Sequence, residues 1–308
     1  MAEIFDVIII GGGPAGLSAG LYGSRSRLNT LLIEKSKYGG QTATTNELDN
    51  YPGSMENPTG PELSERMRKQ ADEFGTKFTR DDVLGIDVSG DIKIVKCQNK
   101  EYHTRTIIIA QGAEPNMAGF KKEGDFRGRG VSYCATCDAD FFTDLDVAVI
   151  GGGDSAITEA IYLTKFVNKL TIIHRRDSFR AVKSLQEKAF KNPKIDIMWD
   201  SVPTEIVGDE IVEGLKVKNK VTGEETLLDV NGVFVFVGLN PASDIYKGII
   251  KMDEKGYILT DPEMNTNIPG IFAAGDIRQK SLRQVITAAA DGAIAATSAE
   301  KYIADKFE

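Results

Sequence analysis

Two of the three cysteines, Cys134 and Cys137, stand close together with Ala135 and Thr136 between them. This Cys-x-x-Cys spacing lets two sulfurs bridge across the first turn of a helix, where the helix dipole lowers the pKa of a thiol and makes thiolate available near neutral pH. Such a pair can cycle between a disulfide and a dithiol. The spacing therefore predicts a redox-active pair.

The same spacing is also half of a zinc site, and a zinc ion needs four ligands. Besides the pair, the chain offers only Cys97, His103 and His174, and these form no second cluster in the sequence. We therefore favour redox chemistry and predict no metal site. A total of three cysteines also excludes the disulfide framework of a small secreted domain.

Asp138 directly follows the cysteine pair. A carboxyl group beside exchanging thiols can protonate a leaving thiolate if burial raises its pKa. The alternative is a carboxylate that only caps the start of a helix or interacts with the helix dipole. We predict the proton-donating role and keep the capping role as its alternative.

A glycine-rich turn occurs twice, each time between a short β-branched run and a segment with helical composition. The first copy has a strand at 6–10, the turn 11–16, a helix and a strand at 30–33 that leads into Glu34. The second copy follows the same plan, with a strand at 146–150, the turn 151–156, a helix to about residue 164 and a strand at 170–173 that leads into His174. Each copy has the context in which backbone N–H groups and a helix N-terminus bind a pyrophosphate, so we predict two dinucleotide-binding βαβ units.

The residue after the second strand indicates which nucleotide each copy binds. Glu34 can accept hydrogen bonds from both ribose hydroxyls and would repel a 2′-phosphate, which suits NAD and FAD equally. His174 is followed by Arg175, Arg176 and, after a short turn, Arg180, a cluster suited to a phosphate dianion. The second copy is therefore predicted to bind NADPH in preference to NADH, and the alternative is a solvated basic loop.

The remaining segments indicate how the two units are assembled. Residues 105–113 and 232–238 are each predicted to form a buried strand and a tight turn that close a sheet. The segment 270–276 and an Ala-rich helix over 283–303 have no nucleotide motif of their own and must complete an earlier domain. We predict an α/β fold of two Rossmann-like, three-layer nucleotide-binding domains. A domain at 114–244 is inserted into a discontinuous domain formed by 1–113 and 245–308.

The chain resembles the low-molecular-weight, bacterial-type thioredoxin reductases, which are class II pyridine nucleotide-disulfide oxidoreductases. The match covers essentially the whole chain in order, through the motifs GGGPAG with Glu34, YGGQ at 38–41, TTNELDNYPG at 44–53, CATCD at 134–138, GGGDSA at 151–156, HRRDSFRA at 174–181 and GIFAAGD at 270–276. The resemblance implies FAD in the discontinuous domain and NADPH in the inserted domain, which carries the cysteine pair.

The resemblance also implies the residues that bind the two cofactors. For FAD they are Gly11, Gly13, Pro14, Ala15, Gly16, Glu34, Gly39, Gly40, Gln41, Asn50, Ala110, Gly112, Asp276, Arg283, Gln284 and Val285. For NADPH they are Gly151, Gly153, Asp154, Ser155, Ala156, His174, Arg175, Arg176 and Arg180. Ordinary turns and caps are the alternative for those outside the two glycine-rich turns.

The family's reaction passes a hydride from NADPH to FAD, whose electrons then open the disulfide, and the dithiol reduces thioredoxin or a similar small redox protein. By this analogy Cys137 faces the flavin, Cys134 is its partner, and Asp138 completes the catalytic set. The resemblance also implies a homodimer. The sequence departs from the family at Gln111, Ala139 and 238–243. We expect these departures to affect the packing around the flavin and the fit of the partner protein, and not the route of the electrons.

Charge and hydropathy exclude several other classes. The formal net charge is −8 and no long basic run occurs, so the attraction to phosphate backbones on which nucleic-acid binders depend is missing. No apolar stretch approaches the roughly 20 residues that cross a bilayer, and Glu3 and Asp6 stand where a signal peptide would be basic. We expect a cytoplasmic protein that binds neither nucleic acid nor membrane.

Two alternative functions remain. A flavin-dependent thioredoxin reductase that uses ferredoxin or another donor would be expected to lack the second glycine-rich turn and the arginine cluster, and both are present. A non-catalytic nucleotide sensor would bind both cofactors without needing the cysteine pair. The intact pair argues against the sensor.

Overall fold

The computed structural model describes residues 3–44, 48, 50–53 and 59–307. Four residues of the predicted flavin motif at 44–53, namely Thr45, Asn46, Glu47 and Asp49, lie outside the described residues. The chain divides into a first unit, Met1–Glu114 with Asn240–Glu308, and a second unit, Pro115–Leu239. The second crossing between the units thus lies at 239–240, whereas the sequence placed it at 244–245.

Strands are numbered along the chain. Those of the first unit and its borders are β1 (Ile4–Ile10), β2 (Thr30–Glu34), β3 (Lys77–Arg80), β4 (Val83–Asp87), β5 (Lys93–Cys97), β6 (Glu101–Ile109) and β7 (Ala113–Pro115). The chain continues with β8 (Val131–Ser132), β9 (Asp146–Gly151), β10 (Lys169–Ile173), β11 (Ile195–Met198), β12 (Ser201–Val207), β13 (Gly214–Asn219), β14 (Glu225–Leu228), β15 (Gly232–Phe236), β16 (Leu239–Pro241) and β17 (Ile271–Ala273).

The helices are α1 (Pro14–Arg25), α2 (Gly60–Glu73), α3 (Ala135–Asp138), α4 (Asp154–Leu163), α5 (Lys183–Lys191) and α6 (Val285–Phe307). Short 3₁₀ turns occur at Gly40–Thr44, Ala139–Phe142, Asp244–Tyr246 and Gly275–Ile277. No helix in the described part of the chain is both long and apolar enough to cross a bilayer.

The first unit is built on a seven-stranded sheet. Five strands run parallel in the order β3-β2-β1-β6-β17, and β5 and β4 extend the sheet in antiparallel pairing from the first half of β6. Val7, Ile8, Ile9 and Ile10 of β1 and the isoleucines of β6 are buried on both faces of the sheet, as parallel strands between helices require. The carboxyl ends of β1, β2, β6 and β17 therefore come together at one edge.

Helix α6 packs closely on α1 at that edge. A Cβ on Gly292 would collide with the carbonyl oxygen of Ala15, so only glycine allows the two helix backbones to approach this closely. This contact between the last helix and the first explains why the final segment has no nucleotide motif: it completes the first unit.

The second unit has a parallel sheet in the order β11-β10-β9-β15-β8 and a separate antiparallel sheet, β12-β13-β14. Helices α4 and α5 contact one another, and aliphatic residues of the parallel sheet form the core. The predicted strands of both βαβ units, the closing strands and the last helix are confirmed. The predicted α/β class with two Rossmann-like units is confirmed as well.

Candidate active site

Cys134 and Cys137 form a disulfide in the second unit. Cys134 is the N-cap of α3 and the two Cα atoms are 5.3 Å apart, so the sulfurs bridge the first helical turn, as the spacing predicted. Helix α3 is only four residues long and continues as a 3₁₀ turn, so its dipole is much smaller than the sequence argument assumed. Among the described residues no cluster of three or more potential metal ligands exists.

Asp138, the last residue of α3, is bonded to a residue that the sequence did not indicate. Ser132, at the end of β8, donates its hydroxyl proton to Asp138 Oδ2 over 2.6 Å and accepts a bond from the Cys134 N–H over 3.1 Å. Burial raises the pKa of Asp138, and the Ser132 bond opposes the rise. The raised pKa is what a proton-donating role requires, whereas the capping alternative requires no burial.

A buried carboxylate also supports the segment before the cysteine pair. Glu123 is 1% exposed and accepts the N–H groups of Ala118 and Gly119 and the hydroxyl of Tyr133, the residue before Cys134. Burial and the Glu123 bond both raise the pKa of Tyr133, which therefore stays a hydrogen-bond donor. The backbone leading into the redox pair is thus fixed from two sides, by Ser132 and by Tyr133.

The first glycine-rich turn lies at the carboxyl end of β1. Helix α1 begins at Pro14, with Gly13 as its N-cap, no side-chain cap and no acidic residue in its first turn. A Cβ on Gly11 would meet the backbone of Ala110 and Gln111, and one on Gly16 would meet the carbonyl of Gly11. The turn thus leaves backbone N–H groups open for an anion, since the first turn of a helix has no internal acceptors for them.

Glu34 lies beside this turn, as predicted. Its carboxylate accepts the Gly12 N–H over 2.7 Å and the Ser36 N–H over 2.9 Å, which holds it at the end of β2. Gly39 donates its N–H to the Gly12 carbonyl over 2.7 Å, and Gly40 lies against Gly13. The predicted YGGQ segment is therefore part of the same turn.

Other residues of the predicted FAD set lie in the same unit. Gln41 donates its amide to the carbonyl of Ala113, and Asn50 donates to Gln284 over 3.0 Å, just before α6 begins at Val285. Ala110 donates to Ile10 over 2.7 Å, and Gly112 accepts a bond from Ala242 over 3.1 Å. The unexpected Gln111 accepts the hydroxyl proton of the fully buried Tyr246, which gives this departure from the family a structural reason.

Asp276 and Arg283 each hold a buried polar atom that lacks a partner in the described residues. These atoms are Asp276 Oδ1 and Arg283 Nε. The Arg283 guanidinium lies 4.2 Å from the centre of the Tyr257 ring, and burial raises the pKa of Asp276. Buried polar atoms without partners are costly, so this pair fits a polar ligand such as the ribityl and phosphate groups of FAD.

Asp291 of α6 fixes the segment that carries Asp276. Its Oδ2 accepts bonds from the Gly275 N–H over 3.0 Å, from Arg278 over 2.9 Å and from Lys280 over 2.8 Å. Burial raises the pKa of Asp291, but the bonds from Arg278 and Lys280 outweigh it, and the pKa is lowered. No local sequence motif indicates this cluster, because its members lie on different elements.

The second glycine-rich turn has His174 beneath it. A Cβ on Gly152 would collide with the His174 ring, so this glycine is required. The ring is 4% exposed, its Nε2 has no partner in the part of the chain that the structure describes, and burial lowers its pKa. The lowered pKa favours the neutral ring, so the charge of the predicted cluster comes from its arginines.

The arginines that follow His174 supply the charge. Arg175, Arg176 and Arg180 are exposed, and none of them forms a salt bridge within the described ranges. The loop is held by its backbone, since Arg180 donates to the Gly152 carbonyl over 2.8 Å and Asp154 accepts the Val182 N–H over 2.8 Å. Three guanidinium groups are thus held near a turn that also exposes the start of α4, where Gly153, Ser155 and Ala156 lie.

Both turns fit the groups predicted for them. Backbone donors at a helix start, glycines such as Gly11 and Gly152 with no room for a Cβ, and buried polar atoms that lack partners among the described residues together match a dinucleotide in each unit. The residues that the sequence missed are Ser132, Glu123, Tyr133 and Asp291. Each acts through a contact between separate elements, which a local motif does not encode.

Comparison with known proteins gives one family match and several full-length relatives. Residues 5–292 match the family described as pyridine nucleotide-disulphide oxidoreductase. The chain is 55% identical to a thioredoxin reductase of Peptoclostridium acidaminophilum, with 100% of both chains covered, and 48% identical to one of Listeria monocytogenes, with 99% of this chain and 96% of that protein covered. A crystal structure of thioredoxin reductase from Streptococcus pyogenes is 45% identical, covers 99% of this chain and 100% of its own, and has a TM-score of 0.94.

Proposed function

Because the chain belongs to the pyridine nucleotide-disulphide oxidoreductase family, we propose that it is an NADPH-dependent thioredoxin-disulfide reductase that carries FAD. The observation that carries the proposal is the closed Cys134–Cys137 disulfide, in the same unit as a glycine-rich turn followed by arginines that form no salt bridge with any described residue. The family resemblance inferred from the sequence motifs is confirmed by the family match and by the relatives.

We assign FAD to the first unit and NADPH to the second. Asp276, Arg283 and the turn beside Glu34 would hold FAD, and the turn before α4 with Arg175 and Arg176 would hold NADPH. When bound there, FAD would supply the hydride and electron-transfer chemistry that links NADPH to the disulfide. Glu34 favours unphosphorylated ribose by repulsion of a 2′-phosphate, whereas the arginines attract one.

The chain's own residues carry out the exchange with the partner. One enzyme thiolate attacks the partner's disulfide, an enzyme–partner disulfide forms, and the departing partner thiolate takes a proton from Asp138. The second enzyme thiol gives its proton to Asp138, attacks the enzyme–partner disulfide and restores the Cys134–Cys137 bond. The second partner thiolate takes that proton, so two electrons and two protons leave the enzyme, and Asp138 regains its proton from water.

The partner that we propose is thioredoxin or a similar small redox protein. The support is that the relatives at 44–55% identity are thioredoxin reductases over their full length. We further propose that the enzyme works as a homodimer in the cytoplasm and binds neither nucleic acid nor membrane. The negative net charge supports the absence of nucleic-acid binding.

The first experiment is an anaerobic titration of the purified flavoprotein, in which the visible absorbance of the flavin is followed as NADPH or NADH is added. We expect bleaching by NADPH at concentrations well below those needed of NADH. A flavin that is bleached by dithionite but not by NADPH would remove NADPH as the donor and favour ferredoxin or another donor.

A second experiment tests the redox pair directly. The Cys134→Ser and Cys137→Ser double variant should keep the bleaching of its flavin by NADPH and lose the reduction of thioredoxin completely. A Cys97→Ser variant is the matched control, because Cys97 is buried and burial raises its pKa to about 12, so its thiol is unreactive. If neither the wild-type protein nor the double variant reduces thioredoxin although both bind the two nucleotides, a nucleotide sensor would be favoured instead.

A further inference from the structure

Ser132 is hydrogen-bonded to both Cys134 and Asp138, on which the exchange depends. Its side chain lies at the end of β8 and is buried, with 5% of the residue exposed. The hydroxyl oxygen accepts the Cys134 N–H over 3.1 Å, and the hydroxyl proton is donated to Asp138 Oδ2 over 2.6 Å. The carbonyl oxygen of Cys134 is a second acceptor for the same hydroxyl, at 3.3 Å.

These contacts satisfy Asp138 in both of its protonation states. When Asp138 is ionised, the Ser132 hydroxyl donates to it. When Asp138 is protonated, its own O–H can donate to Ser132 Oγ, and the serine hydroxyl can turn to the carbonyl of Cys134. A hydroxyl has one donor and two acceptor sites, so all of these bonds can be made together. A buried carboxyl could otherwise not gain and lose a proton without leaving a polar group unpaired.

We propose that Ser132 is the positioning residue that allows Asp138 to release and regain its proton during dithiol–disulfide exchange. This rests on the proposed function, because it presupposes that Asp138 protonates the departing partner thiolate. Ser132 itself exchanges no electrons and forms no covalent bond. It holds the carboxyl in place and accommodates each proton transfer by rotation of its hydroxyl.

Other charged groups around α3 do not take this role. Besides β8 with Ser132, helix α3 packs against α4 and the 3₁₀ turn after it, whose charged side chains are Asp154, Glu159 and Asp140. None of these affects the pKa of Asp138, which burial raises and only the Ser132 bond lowers. The carboxylate of Asp154 accepts the N–H of Val182. Burial is the single cause of the raised pKa of Glu159, so Glu159 and Asp138 do not influence each other's pKa.

The test is a single-turnover measurement of the NADPH-reduced enzyme mixed with oxidised thioredoxin under anaerobic conditions, over the pH range in which the protein stays folded. The exchange rate of the wild-type enzyme should fall as pH rises through the pKa of Asp138, because the acid is then lost. In Ser132→Ala the ionised form loses its donor, so this fall should move up by about one pH unit. Asp138→Asn should abolish the fall altogether.

The double variant Ser132→Ala with Asp138→Asn decides whether Ser132 acts through Asp138. We expect it to be no slower than Asp138→Asn alone, because two residues that act as one unit are not additive. Ser132→Thr keeps the hydroxyl and should keep the wild-type pH profile. Ser201→Ala is the matched control, since Ser201 is a buried serine of the same unit whose hydroxyl donates to the Trp199 carbonyl.

The outcomes separate this proposal from the proposed function. A slower Ser132→Ala with an unmoved pH profile, or a further loss in the double variant, would mean that Ser132 only supports the Cys134 backbone, and the proposal would be overturned. It would also be overturned if Asp138→Asn exchanged at the wild-type rate and profile. Failure of the wild-type enzyme to reduce thioredoxin would instead reject the proposed function. Bleaching of the flavin by NADPH in each variant shows that the variant is folded.

Discussion

The two glycine-rich turns share one backbone design but are supported by different chemistry. In the first, the carboxylate of Glu34 accepts the Gly12 N–H, and the Asp291 cluster fixes the neighbouring Asp276 segment. In the second, the neutral ring of His174 fills the space under Gly152 and packs near Phe179 and Trp199, with ring centres 5.6 and 6.2 Å away. The first turn is thus held by charges and the second by aromatic packing.

This difference shows how one βαβ unit is adapted to two nucleotides. In the first unit the carboxylate is close to the turn, and the cations Arg278 and Lys280 are bound to Asp291. In the second unit the residue under the turn is neutral, and the guanidinium groups of Arg175, Arg176 and Arg180 extend into solvent. The sign of the unpaired charge, and not the turn itself, distinguishes the two sites.

The largest effect should come from the charged support of the first turn. Asp291→Asn leaves Arg278 and Lys280 poorly compensated, and we expect a loss of about 3–5 kcal/mol in the free energy of unfolding of the first unit. Calorimetry measures the change, and the fluorescence of Trp199, the only tryptophan, reports the second unit separately. Asp91→Asn, an exposed carboxylate of the first unit, is the control and should change little. An equal loss in both variants would contradict a special role for the buried cluster.

The unpaired arginines should decide the choice of nucleotide. Replacement of both Arg175 and Arg176 with Gln should lower the preference for NADPH over NADH about 100-fold, since a charge-assisted bond contributes about 1.5 kcal/mol or more. The measurement is flavin bleaching by each nucleotide. Lys165→Gln with Lys169→Gln removes the same charge at the far ends of α4 and β10 and should leave the preference unchanged. An unaltered preference in the arginine variant would reject the assignment.

A steric change should affect the second turn more than the first. In Gly152→Ala the new methyl group meets the rigid His174 ring, and we expect a loss of about 2 kcal/mol in the stability of the second unit. Gly12→Ala should cost less, because Tyr38 is only half-buried and can move. Gly153→Ala is the control, since no atom lies within 4 Å of its Cβ position. Urea unfolding followed by Trp199 fluorescence tests the second unit, and equal losses at Gly152 and Gly153 would disprove the packing argument.

The smallest effect should be the pH dependence of the second unit. Burial holds the pKa of His174 below its ordinary value of about 6.5. As the pH is lowered, His174 is therefore protonated in the unfolded chain at a higher pH than in the folded chain. Stability is therefore fully present above that pH and falls on acidification, by about 1 kcal/mol at most. His174→Gln should flatten the slope of the urea midpoint with pH, and His103→Gln, the other histidine, should not. Identical slopes would mean that His174 has the same pKa in the folded and in the unfolded chain.

Most of the fold was predictable because its signals are local. The glycine-rich turns, the β-branched runs and the Ala-rich last helix each specify an element within about a dozen residues, and all of them are confirmed. The exact end of the inserted segment was not predictable. The pairing of β7 with β16 lies there, and the composition of the chain does not change at residue 239.

The cysteine pair of the candidate site was predictable, whereas the charge states of the side chains around the site were not. The spacing of Cys134 and Cys137 indicated the disulfide, yet the short length of α3 removes most of the expected dipole effect. The sequence placed His174 before the arginines but did not indicate its burial, which lowers its pKa and favours the neutral ring. A residue's charge depends on its solvent exposure, and exposure is a property of the packed structure.

The sequence by itself determined which elements form, where the two nucleotide turns lie and which cysteines pair, because each of these follows from residue types at short, fixed spacings. Only the tertiary structure decided which side chains bond to one another across elements. Ser132 donates a hydrogen bond to Asp138, and Tyr133 donates one to Glu123. Asp291 accepts hydrogen bonds from Arg278 and Lys280. These contacts join side chains from separate elements. They depend on how strands and helices pack, and no local pattern of residues encodes that packing.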